Sequence, residues 1–184
     1  AGFIGSHICE RLCSEGREVV VIDNLCTGTR ENLAGMDVEF VEGSITNLDD
    51  VAKAIQGVRK VVHLAALPSV ARSLERPLDT HAACATGTVN VLNVAKEVGA
   101  RVVYAGSSSA YGNHDEKMKH EELREDPLSP YSAAKLAGEL YCRTFARVFD
   151  MDVVVTRFFN VFGPRQPADS PYSGVIAAFC RSLI

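Results

Sequence analysis

The chain has no apolar run of 18 residues, no block of like charge, no internal repeat and no low-complexity linker. The first absence excludes a membrane-spanning helix. The second, with 19 Lys+Arg against 23 Asp+Glu, argues against a nucleic-acid-binding surface. A metal-ligand set is also lacking. Cys9 and Cys13 stand four apart and could share a helix face, but no second pair or nearby His completes four ligands. Cys26, Cys84, Cys142 and Cys180 are scattered through apolar contexts, so reduced thiols and no metal are expected. The opening AGFIGSH is not a basic segment leading into an apolar core, which sets the expectation of a cytoplasmic protein. What is present is 184 residues with a 47% hydrophobic fraction, enough for a packed core and too much for a disordered chain.

Short β-branched runs alternate with longer helical patterns. Glu18–Asp23, Val38–Glu42, Val61–Leu64, Val102–Ala105 and Val153–Phe158 read as buried strands. Ser6–Glu15, Leu48–Ile55, Thr86–Val98 and Ser132–Phe149 read as helices, and another begins near Gly174. This alternation implies parallel strands joined by right-handed crossovers, an α/β doubly wound sheet. The polar stretch Gly112–Pro130 reads as a surface loop beside a binding site.

Two places carry chemistry. Gly2-Phe3-Ile4-Gly5 leads straight into a helix, where small residues let backbone amides approach a phosphate and the helix dipole favours its charge. Asp23 follows Gly5 by 18 residues at the end of a strand, where a carboxylate can accept from both hydroxyls of an adenosine ribose and would repel a 2′-phosphate. That favours NAD over NADP, although an Asp-Asn pair also forms turns. Further along, Tyr131 and Lys135 are four apart, on one face of a helix. A phenol of pKa about 10 is a poor base at neutral pH, and a neighbouring cation is expected to lower it. Ser107-Ser108-Ser109 follows the VVYA strand at its carboxyl end, where ligands of this architecture bind.

On these residues the chain resembles the extended short-chain dehydrogenases/reductases of the NAD-dependent epimerase/dehydratase family. Within that group it is most similar to the UDP-glucose and UDP-N-acetylglucosamine 4-epimerases. The resemblance runs through AGFIGSH, VIDNLCTG, VVHLAALPSV, YAGSSSAYG, SPYSAAKLAGELYC and RFFNVFGPRQ. It implies a Rossmann-like fold that binds NAD through residues 1–166, with residues 167–184 starting a substrate-binding region. It also implies that the sheet's first strand and most of the C-terminal substrate domain are absent from this stretch, leaving a gap between the strands at Glu18–Asp23 and Val61–Leu64. The resemblance assigns the phosphate loop to Gly2, Phe3, Ile4 and Gly5, and the adenosine contacts to Asp23 and Asn24. Ser44 and Ile45 would lie by the adenine, and Leu64, Ala65 and Ala66 by the pyrophosphate. Tyr131 matches the catalytic base and Lys135 the residue that binds nicotinamide ribose and tunes that base. Ser107 or Ser108 matches the hydroxyl partner. Ser69 and Asn160 match substrate contacts. Arg165 stands either close to the substrate phosphates or in a loop-ordering salt bridge.

Three departures from the family pattern stand out. The family's loop carries another Gly three residues before Gly2. Its Gly-Asp-Ile reads Gly43-Ser44-Ile45, exchanging an adenine-binding carboxylate for a hydroxyl. Its Asn-Val-x-Gly-Thr reads Cys84-Ala85-Thr86-Gly87-Thr88, exchanging a strong amide partner for a thiol.

Family dehydratases and decarboxylases carry an Asp-Glu or Ser-Glu pair just after the hydroxyl residue, where this chain has Ser108-Ser109-Ala110 and no carboxylate. The expected activity is therefore epimerisation at C4 of a UDP-sugar through a 4-keto intermediate. The alternatives are a UDP-glucuronate epimerase, a dehydratase or reductase of the same group, or an inactive NAD-binding fragment. The partners expected are the UDP-sugar and a second copy of the chain, joined through a four-helix bundle of Thr86–Val98 and Ser132–Phe149.

Overall fold

A computed structural model describes residues 1–167 and 175–183. The chain forms two compact units, Ala1–Gly43 with Asn160–Ile184, and Ser44–Phe159.

In the first unit α1 (Phe3–Ser14) is followed by two parallel strands, β1 (Val20–Asp23) and β2 (Glu39–Glu42), paired from Val20↔Glu39 to Asp23↔Glu42. A 3₁₀ turn, Arg30–Leu33, lies between them in sequence. Ala1, Cys9, Val21 and Leu33 form a small core, with Val19, Leu25, Met36, Val38 and Phe40 packed around it. The chain returns at Gly28, where a Cβ would sit 2.8–2.9 Å from the Ala1 and Gly2 backbone, so only glycine permits the approach. The Ala1 carbonyl accepts from the Thr29 amide (3.2 Å) and from Asn32 Nδ2 (2.9 Å). A last helix, α7, spans Val175–Ser182. The helix start expected near Gly174 falls on a residue outside those described.

The second unit holds three parallel strands in the order β3 (Lys60–His63), β4 (Arg101–Ser107), β5 (Val153–Phe158). The register runs Lys60↔Arg101 on one side of β4 and Val102↔Val153 to Ser107↔Phe158 on the other. Helix α2 (Leu48–Ile55) is capped by Asn47, whose side chain accepts from the Asp49 amide. Two short helices, α3 (Val70–Glu75) and α4 (Pro77–His81), precede a π-helical turn, Ala82–Thr86, that runs into α5 (Gly87–Glu97). Alternation along β4 buries Val102, Tyr104 and Gly106 on one face. Val102 and Tyr104 form a core with Leu92, Ala95, Ala100 and Cys142. A second cluster, Ile45, Val51, Ile55, Val91 and Val94, packs α2 against α5.

The α/β alternation and parallel pairing are as expected, and among the described residues no strand pairs with both β1 and β3. The differences are local. The helix expected at Thr86–Val98 is the second half of a helical run that starts at Pro77, because the π turn carries it through. Proline at the first helical position starts that run; α3, before it, begins at the Ser69 cap. Neither α3 nor α4 has enough residues for an apolar period to show in sequence. Among the described residues no helix is long and apolar enough to cross a membrane, and no group of three His, Cys, Asp or Glu is arranged to hold a metal.

Candidate active site

In the first unit Gly2 caps α1 in extended backbone (ψ 179°) with no side-chain hydrogen bond, and the first turn holds no acidic residue. A Cβ on Gly2 would meet nothing within 4 Å. The leading amides of Phe3, Ile4 and Gly5 thus belong to an open helix N-terminus, the arrangement that suits a phosphate. At the end of β1, Asp23 Oδ1 accepts from the Leu25 amide (2.8 Å) and Oδ2 from the Ala1 backbone nitrogen (3.0 Å). Asn24 Oδ1 accepts from the Cys26 amide (3.2 Å). Asp23 thus shapes the turn, and each of its oxygens keeps a lone pair for another donor.

Arg165 belongs to this unit as well. Its guanidinium bonds to Glu10 and to His7 Nδ1 (2.7 Å), and reaches the Asn32 carbonyl at 3.4 Å, while His7 Nε2 donates to the Pro164 carbonyl at 2.9 Å. The loop-ordering alternative is the one found. Asn160 is exposed.

The second unit assembles the proton-handling groups. Ser129 caps α6 (Pro130–Phe149): its hydroxyl accepts from the Ser132 amide (3.1 Å), and Ser132 Oγ accepts from the Ser129 amide (2.9 Å). This capping box, with Pro130 at the first position, fixes Tyr131 in the first turn and Lys135 one turn on. Ser107 ends β4, and its side chain stands near enough to Tyr131 to favour the phenolate. Ser107 Oγ also lies 2.8 Å from Ser109 Oγ and accepts from the Ser109 amide at 3.2 Å. Of the two serines left open by the sequence, Ser107 is the one whose side chain bears on the phenol; Ser108 opens a 3₁₀ turn, Ser108–Tyr111.

The electrostatics differ from expectation. Burial pushes the Tyr131 phenol above its ordinary value, Cys84 adds to the rise, and the nearby Ser107 side chain opposes it. The cation does not lower it, because Lys135 Nζ lies over the face of Tyr104, 4.3 Å from the ring centroid. Equal helical phase put phenol and ammonium on one face but could not say which aromatic the ammonium would choose. Lys135 is only 3% exposed, and burial lowers its pKa to about 8, partly offset by Cys84 and Cys142.

Beneath this pair lies a buried histidine that sequence reasoning did not single out. His63 ends β3, its Nε2 is 2.9 Å from Thr88 Oγ1, and that hydroxyl donates to the Cys84 carbonyl (2.7 Å) within the π turn. Burial, reinforced by the charge of Lys135, lowers the imidazole's pKa to about 3. The folded state therefore binds fewer protons than an unfolded chain titrating near 6.5. Stability from the neutral ring is complete above that pH and is lost as pH falls toward 3. Unfolding free energy is expected to fall by on the order of 1.4 kcal/mol per pH unit across that window. His63→Gln should flatten the slope in urea titrations at pH 7 and pH 5; equal slopes would contradict the assignment.

The other expected contacts have local partners. Ser69 caps α3 by accepting from the Arg72 amide (3.0 Å). Ser44 Oγ pairs with Thr46 Oγ1 (2.8 Å), and the Ser44 amide donates to Asp50 (2.9 Å). Ile45 is buried in the α2–α5 cluster, and Leu64, Ala65 and Ala66 follow the end of β3.

Several named proteins are similar to this chain in sequence and fold. A UDP-glucose 4-epimerase of Mycolicibacterium smegmatis is 36% identical over 191 residues, covering all of this chain and 61% of that protein. A UDP-N-acetylglucosamine 4-epimerase of Methanobrevibacter ruminantium, solved with UDP-N-acetylmuramic acid, superposes with a TM-score of 0.94 at 34% identity. It matches 99% of this chain and 59% of its own. A dTDP-glucose 4,6-dehydratase of Streptomyces venezuelae, solved with NAD, gives 0.91 at 33% identity, over the whole of this chain and 59% of its own. The chain thus spans about three fifths of these relatives' length, and its fold is the Rossmann-like class expected. From residue 1 to residue 184 the sequence also matches the model of the NAD dependent epimerase/dehydratase family, to which the chain belongs.

Proposed function

We propose that the protein interconverts UDP-sugars differing at C4, using NAD that is not consumed. The observation carrying this reading is the place of Ser107 at the end of β4, where its side chain favours the Tyr131 phenolate, followed by Ser108-Ser109-Ala110 with no carboxylate. Elimination or decarboxylation needs an added acid–base group there, whereas reversible oxidation of an alcohol needs one base and one relay. Glu139, the buried carboxylate of α6, is taken up by Arg157 and Arg143.

The residues present fit the cofactor. The open Gly2 cradle and uncapped start of α1 would receive its diphosphate, Asp23 and Asn24 its adenosine ribose, and Lys135 its nicotinamide ribose. Ser44 and Ile45 would flank the adenine, and Leu64, Ala65 and Ala66 the pyrophosphate. When bound, NAD supplies the reversible hydride acceptor for the sugar carbon. Tyr131 takes the proton from the sugar hydroxyl, directly or through Ser107, and gives it back on the return. The N-terminal position of Tyr131 in α6 stabilises the phenolate this requires. Ser69 and Asn160 are assigned to substrate, and residues 1–166 to the cofactor domain, with 167–184 opening the substrate region. Apolar side chains exposed on α6 and just after α5 (Leu140, Tyr141, Val148, Phe149 and Val98) support a homodimer through those helices.

Incubating the intact protein with a panel of UDP-sugars tests the reaction. Interconversion of C4 epimers with no build-up of NADH absorbance is expected. Stoichiometric NADH or loss of water from the sugar would each replace this assignment with one of the alternative reactions.

A further inference from the structure

Lys135 is buried, and among the described residues no carboxylate pairs with it. A buried ammonium without a counter-ion needs some other source of negative potential. Around it stand His63 from β3, Tyr104 from β4 and Cys84 from the π turn, with Tyr131, Glu139 and Cys142 on its own helix. Glu139 is occupied by two arginines. His63 is neutral, with its ring 5.4 Å from that of Tyr104. The thiols Cys84 and Cys142 have their pKa values raised by burial, which keeps them uncharged near neutral pH.

Tyr104 remains, and it meets the lysine at both ends. Its ring faces Nζ at 4.3 Å, inside the range in which a cation is attracted to an aromatic quadrupole. Its hydroxyl donates to the Lys135 backbone carbonyl at 3.0 Å. Gly138, three residues further along α6, makes room: a Cβ there would fall 2.3 Å from Tyr104 Oη and 2.8 Å from Cζ. Tyr104 is itself fully buried, so the ring has no freedom to turn away.

We propose that Tyr104 is the positioning residue for Lys135, its ring carrying the ammonium that the reaction uses. The inference rests on the function proposed above, but its test needs neither substrate nor cofactor. The intact protein carrying ¹³Cε-labelled lysine is titrated by NMR, with the Lys135 resonance identified by its loss in Lys135→Arg. The midpoint near 8 is expected to fall by roughly one pH unit in Tyr104→Leu, which removes the ring, and to stay within a few tenths in Tyr104→Phe, which keeps it. A folded leucine variant with an unmoved midpoint would overturn the proposal, as would equal shifts in both variants. Should the leucine variant not fold, phenylalanines of graded fluorination at position 104 keep the shape while draining the ring's negative face. The midpoint should then descend stepwise, and a flat series overturns the proposal. A shifted midpoint in a protein that epimerises no UDP-sugar would sink the reaction assignment and leave this one standing.

Discussion

Tyr131→Phe is expected to lower kcat for C4 epimerisation by on the order of 10²–10⁴-fold while leaving NAD binding and thermal stability nearly unchanged. The variant removes one oxygen. The ring remains, and so do the capping box and the proline that start α6, because Ser129, Pro130 and Ser132 do not depend on the phenol. What is lost is the group that moves the substrate proton. Its loss should weigh heavily because Ser107 is an alcohol far too weakly acidic to replace a phenolate as base. Burial raises the pKa of Tyr131, so the wild-type rate should climb with pH as phenolate forms, and this climb should vanish with the hydroxyl. Turnover, NAD affinity and melting temperature measured on the same preparation separate this result from unfolding. Epimerase activity within a few fold of wild type would remove Tyr131 from its assigned role. Loss of NAD binding together with activity would instead indicate a structural part for the phenol.

The contrast between Tyr131 and Lys135 shows what could be read from the chain alone. The helix read from Ser132 starts two residues earlier, at Pro130 behind the Ser129 cap, but spacing placed two functional groups on one face, so α6 and its phenol were legible. The partner of the ammonium was not, because it comes from β4, 31 residues away, through a tertiary contact that no local period encodes. The signal was faintly present: Tyr104 shares the buried face of β4 with Val102, and Gly138 is a poor helix former that needs a reason in the middle of α6. Arg165 was undecidable for the same cause. A guanidinium beside Gly163 and Pro164 could equally grip a phosphate or tie its loop to α1, and only packing against His7 and Glu10 chooses. The strands were readable to within a few residues because they are short β-branched runs, and in β4 that run also alternates between a buried and a half-buried face.

Arg157→Met is expected to be the most destabilising of these changes, by about 3–5 kcal/mol, and Arg157→Met combined with Glu139→Leu to recover much of that loss. The argument turns on which charge is left behind. Glu139 is 2% exposed and the Arg157 side chain 6%; Arg157 Nε and Nη2 meet the two carboxylate oxygens at 3.0 and 2.8 Å. Nη2 also reaches Glu125 at 2.7 Å, and the guanidinium carbon lies 4.6 Å from the centre of the Tyr111 ring. Hydrogen bonding to Glu139, against the cost of burial, raises the arginine's pKa, so it stays charged at any pH the fold survives. Removing it strands Glu139 with only Arg143, whose side chain is half-exposed and whose pull is screened by water. A buried carboxylate so placed must either take up a proton or open the contact between β5 and α6. Replacing both partners by apolar groups of similar size deletes the stranded charge as well as the pair, and the desolvation that the pair had to offset disappears with it. The single variants Arg157→Met and Glu139→Leu should therefore be far from additive, which a double-mutant cycle on urea midpoints measures directly. Additive losses would show that the two side chains act independently. Glu125, on the charged segment before α6, would then be Arg157's principal partner in stability.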